Sequence, residues 1–179
     1  MAKRTIFQEH HIAERQTLRN SRLLEVLQKA NYFEIDAQRN LIYMPSDPTL
    51  AQEIGISPHS GGPIRDYQDG TIARLRRLSQ TIDGQLAISG DPDAIARIAP
   101  KVDRLVDTMR VGLVNADLHT NAPIGMVADD IRPGINAFFK GASSYDQKLA
   151  SQIDAVPTLQ RPELGWSSIV HSERKLPRS

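Results

Sequence analysis

Cysteine is absent from the 179 residues, which excludes disulfide scaffolds, thiolate zinc sites and cysteine nucleophiles. Five histidines are then the only nitrogen ligands available to a transition metal. Aromatic residues are scarce, with a single tryptophan. A charge excess is also missing: 22 Lys and Arg stand against 21 Asp and Glu, a formal charge of +1. This balance argues against a basic nucleic-acid coat, a polybasic membrane anchor or an acidic disordered tail, but not against a locally basic site. No apolar run is long enough to span a bilayer, and Lys3 and Arg4 are not followed by the apolar core of a secretory signal. Action outside the producing cell would therefore require delivery by another component.

What is present reads as one domain of ordinary size, or a domain with an appendage. Residues 5–12 combine β-branched and aromatic residues with a polar end, as in a short strand closing on His10 and His11. Asn20 and Ser21 precede Leu23, Leu24, Val26 and Leu27, an amphipathic helix with a capping residue. The polar turn Asp36 to Asn40 leads into Leu41-Ile42-Tyr43-Met44, a second strand stopped by Pro45. Residues 48–54 fit one or two helical turns, and 57–63 form a loop by composition. From Pro63, the apolar residues Ile64, Tyr67, Ile72, Leu75, Leu78 and Ile82 recur at mostly helical spacing, with Gly70 weakening the pattern. Asp91 and Pro92 open a second long helix along Ile95, Ile98, Val102, Leu105, Met109 and Leu113, which Pro100 should bend or split. Residues 120–160, with several Pro and Gly, suggest two short helices. The polar tail around Trp166 shows little periodicity.

Three blocks in this order carry chemical information. They are Glu9-His10-His11-Ile12 at a strand end, Asn40 before the second strand, and His59-Ser60-Gly61-Gly62-Pro63 with Tyr67 at the start of a helix. On a regular strand, His10 and His11 point to opposite faces and cannot share one metal. One can face a metal while its neighbour faces a nucleophile. Each block alone also fits a solvated turn or a plain loop.

Together the blocks resemble the HNH/endonuclease VII nuclease superfamily, most closely its Ala-His-His toxin nucleases, over about residues 5–80. The sequence departs from the family pattern at Glu9, in place of Ala. It departs also at Pro63, where many members carry a second His, and at Tyr67, one residue later than the commonest spacing. The resemblance implies an α+β protein. Its ββα-metal (His-Me finger) nuclease core would span 1–85, with a helical extension over 86–179 packed on the core. It implies His11 as general base, Asn40 as the amide that holds the loop after the first strand, and His10 and His59 as ligands of one divalent metal ion. That ion would be Mg, Mn, Zn or Ni, with Asp66 as a further candidate ligand. Arg15, Arg65, Arg74 and Arg77 are candidate nucleic-acid contacts, although each also fits a solvated helix face. Residues 1–80 hold 11 basic against 9 acidic side chains, so positive charge favours this part only slightly.

The implied activity is metal-dependent phosphodiester hydrolysis, in DNA more than RNA. The implied setting is an antibacterial toxin domain delivered as part of a larger protein and neutralised by a cognate immunity protein. Two other readings stand beside it: a non-catalytic helical interaction protein of adaptor or immunity type, and a DNA-processing nuclease with no toxin role. Asp117, His119, Asp129 and Asp130 lack the spacing of a second metal site and read as helix-end and loop residues.

Overall fold

A computed structural model of the chain describes residues 7–148. Strand β1 (Phe7–His11) pairs antiparallel with β2 (Leu41–Pro45), His10 opposite Ile42 and His11 opposite Leu41. The 29 residues between them are not a tight turn. They hold α1 (Arg15–Arg19), α2 (Arg22–Lys29) and a 3-10 turn, Gln38–Asn40. Ser21 caps α2 by accepting from the Leu24 amide, satisfying a donor that the helix leaves unpaired. Alternation along the strands places His10, Ile42 and Met44 inside and Glu9 and Tyr43 outside. The outer pair is joined by the Tyr43 hydroxyl donating to Glu9.

After β2 come α3 (Pro48–Ile54), α4 (Arg65–Ser79), α5 (Ile82–Ile88), α6 (Pro92–Val114) and α7 (Ala128–Lys148). The described residues thus form an α+β arrangement, a two-stranded sheet among seven α-helices. Helix α6 is its axis and packs on α4, α5 and α7. The seam Ile95, Ile98, Val102, Leu105, Met109 and Leu113 is buried throughout. From Leu105 to Val114 every residue of α6 is buried, as expected of a helix covered on all sides. One continuous apolar core joins Ile12, Leu23, Leu24 and Met44 with Ile98, Met109, Ile135 and Phe138. None of the helices in the described residues is long and apolar enough to cross a membrane.

The helix boundaries differ from the sequence expectation in three places. Helix α4 starts at Arg65, not Pro63, because Ile64 is extended and serves as N-cap. The helix expected to run on to Ile82 ends at Ser79. The Thr81 hydroxyl accepts from the Gly84 amide and opens α5 in a new direction, leaving Ile82 79% exposed. Pro100 does not split α6; packing on both sides holds the helix through the missing hydrogen bond. In the described part of 120–160, residues 128–148 form one continuous helix despite Pro133 and Gly134. Gly70 does not interrupt α4. A Cβ there would lie 2.1 Å from Cδ2 of Phe139, and at Gly112 another would lie 2.5 Å from Cε2 of Phe138. The two glycines thus let α7 lay its aromatic pair directly on α4 and α6. The tail around Trp166, with Leu149 and Ile153, lies outside the described residues.

Candidate functional site

His10 enters the interior because it stands opposite Ile42, on the sheet face that Ile42 and Met44 bury. The carbonyl of Pro45, at the end of β2, accepts from the His59 amide at 2.8 Å. That bond brings the loop before α4 alongside the sheet. The two imidazoles then face each other with centroids 4.5 Å apart and planes tilted by 53°. Nε2 of His10 and Nδ1 of His59 are buried without a hydrogen-bond partner. Burial, reinforced by His59 and His11, pushes His10 down to about 3. Burial also lowers His59, with Asn121 opposing the shift. Both rings are therefore neutral at pH 7, and an unpartnered nitrogen on a neutral imidazole can offer its lone pair.

His11 turns the other way, as the alternation requires. Its Nε2 lies 2.8 Å from Oδ1 of Asp36, and the Arg15 guanidinium donates to the same oxygen at 2.8 Å. These hydrogen bonds, His11 first and then Arg15, hold the Asp36 carboxyl below its usual range.

The chain between His11 and α1 is fixed by Asn40, which is 2% exposed. Its Oδ1 accepts from the Ala13 amide, and its Nδ2 donates to the carbonyls of Ala13 and Ile35, each at 2.8 Å. The Asn40 carbonyl accepts from Ile12 N–H, and Tyr67, fully buried on α4, donates its hydroxyl to the Ile12 carbonyl at 2.7 Å. Burial raises that phenol well above its ordinary value, so it stays a donor. The Tyr67 ring meets His10 edge-on at 5.8 Å.

Two supports come from beyond residue 100. Arg110 on α6 donates to the carbonyls of Gln38, Arg39 and Leu41, and burial lowers it to about 10. Arg39 pairs with Asp103 and Asp107 of the same helix. The turn bearing Asn40 is thereby clamped to α6. The segment after α6 straps the His59 loop. Thr120 donates its amide to Ser57 Oγ and its hydroxyl to the Pro58 carbonyl, while Asn121 donates to the Gly62 carbonyl and Ile64 N–H returns to the Thr120 carbonyl.

The structure thus forms two sets on either side of β1, His10 with His59 inside and His11 with Asp36 and Arg15 facing the other way, with Asn40 holding the chain that follows His11. Asp66 is turned to Arg132, whose Nε lies 3.0 and 3.2 Å from its two oxygens. Among the described residues, no group of three or more His, Asp or Glu is placed to share one ion. Arg65 leans toward Asp69 on its own helix. Arg74 is half-buried on α4, and Arg77 is exposed in the last turn. Asp129 pairs with Arg132, and Asp130 caps the Val127 amide.

Sequence reasoning missed Asp36, Arg110, Thr120 and Asn121. Arg110 carried a signal, a charge inside the apolar run Met109 to Val114, since a buried guanidinium requires partners. It also missed Glu14, whose Oε2 is buried without a partner and whose carboxyl is raised by burial. No family model matches the chain, and neither a curated protein nor a solved structure matches it, so the chemistry of the site is argued from its own geometry.

Proposed function

We propose that the chain is a metal-dependent endonuclease that hydrolyses phosphodiester bonds, with DNA as the preferred substrate. The observation that carries the reading is the pair of buried, unpartnered nitrogens on His10 and His59, 4.5 Å apart by ring centroid. Buried polar atoms rarely lack a partner, and each such group calls for an explanation. Two neutral imidazoles suit a borderline divalent ion such as Zn²⁺ or Ni²⁺. With open positions left for oxygen ligands, Mg²⁺ and Mn²⁺ are also compatible.

The support is the order of parts, two strands and a helix with one histidine on β1 and one on the loop opening α4, as in a ββα-metal core. Bound there, the ion would offset charge developing on the scissile phosphate. His11 supplies the proton acceptor for an attacking water. Asn40 holds the backbone that carries it, and Arg15 offers guanidinium donors to a phosphate oxygen. Asp66, occupied by Arg132, is not needed for this scheme. Following the resemblance, the same reading extends to a toxin domain held in check by an immunity protein.

The test is cleavage of supercoiled plasmid, and of single-stranded RNA, by purified protein with Mg²⁺, Mn²⁺, Ni²⁺ or Zn²⁺. Nicking or linearisation is expected, abolished by EDTA and by His11→Ala. Intact nucleic acid under every metal refutes the nuclease reading and leaves an interaction protein in its place. Expression without a protective partner should be poorly tolerated, and His11→Ala should relieve that toxicity.

A further inference from the structure

A neutral imidazole carries one proton on one of two nitrogens, and the partner of one nitrogen decides the role of the other. His11 has such a partner in Asp36, at 2.8 Å from Nε2. An ionised carboxylate can only accept a hydrogen bond. The carboxyl is held below its usual range by His11 and Arg15 and is ionised at neutral pH. The contact is therefore attractive only when Nε2 bears the proton. Arg15 engages the same Oδ1 and keeps the carboxylate from rotating away. Both acidic and basic partner are more than half exposed, and neither is among the residues of the apolar core. Removing Asp36 leaves that core intact.

We infer that Asp36 is a positioning residue that sets the tautomer of His11: when the ring carries a single proton, that proton sits on Nε2 against the carboxylate, leaving Nδ1 as the free acceptor nitrogen. The tautomer belongs to the free protein, whereas its role in catalysis rests on the nuclease reading above. Asp36 lies in the turn between α2 and β2, outside the three sequence blocks that carry the resemblance. The arrangement repeats a general device, a carboxylate on one imidazole nitrogen setting the basicity and aim of the other.

Two measurements test it. In proton and nitrogen-15 spectra of the full chain, with His11 assigned by His11→Ala, the ring should show a downfield, slowly exchanging proton on Nε2 that vanishes in Asp36→Ala. A slowly exchanging proton on Nδ1, or a signal indifferent to Asp36→Ala, overturns the inference. In the plasmid assay, Asp36→Ala should lower kcat about 10- to 100-fold. KM should stay level or fall, because a negative charge beside the phosphate path is removed and Arg15 is released. An unchanged kcat overturns the positioning role. If the unaltered protein cuts no substrate, the nuclease reading fails, and the spectra still decide the tautomer.

Discussion

Protonating His10 should destabilise the fold, and the size of the effect follows from its surroundings. The ring is 3% exposed, packed between His59 and Tyr67, and pushed down to about 3 by burial first and then by its histidine neighbours. In the unfolded chain it titrates near 6.5. Between these values the unfolded chain binds a proton that the folded one refuses. Stability from this residue is complete above pH 6.5 and is lost as pH falls toward 3. Each pH unit inside the window costs about 1.4 kcal/mol, or about 2 kcal/mol between pH 7 and pH 5. The assay is urea denaturation followed by circular dichroism at both pH values, in EDTA, for the unaltered protein and for His10→Leu. Leucine fills a similar volume and cannot titrate. The unaltered protein should lose about 2 kcal/mol more than His10→Leu. Parallel losses in the two proteins would refute the argument that His10 is neutral because it is buried.

Three other perturbations probe the supports of the site. Asn40→Ala removes three hydrogen bonds and strands buried groups of Ala13 and Ile35, and should cost about 2–4 kcal/mol in denaturation. Arg110→Met leaves three carbonyls of residues 38, 39 and 41 without their guanidinium donor. A loss of about 3 kcal/mol is expected, read by the same measurement. Gly70→Ala drives a methyl into the Phe139 ring and should cost about 1–3 kcal/mol. The smaller Phe139→Leu should make that cost fall in a double-mutant cycle.

Local grammar was legible. The Ser21 and Asp91 caps, the Pro92 start and the apolar seam of α6 stand where side-chain chemistry puts them. The opposed directions of His10 and His11 follow from strand alternation alone. Asn40 holds the Ala13 and Ile35 backbone with three side-chain hydrogen bonds. What the sequence concealed is long-range or competitive. Ile82 kept the helical rhythm of α4, but a threonine cap at residue 81 overrode it. Gly70 read as a weakness because the ring that occupies its missing side chain comes from residue 139. Asp36 read as a turn residue because its partner His11 lies 25 positions away. Thr120 and Asn121 find their partners about 60 residues upstream, at the Ser57 hydroxyl and the carbonyls of Pro58 and Gly62.

The strap from Thr120 and Asn121 also sets a timetable. As the chain leaves the ribosome, β1 and β2 can pair once residue 45 is free, and His10 can take its place early. The loop with His59 has no hold on its carbonyls at Pro58 and Gly62 until residues 120 and 121 emerge. A nascent chain stalled before that point would carry all three histidines and an unfinished site. Completion of the site is thereby tied to synthesis of most of the described chain.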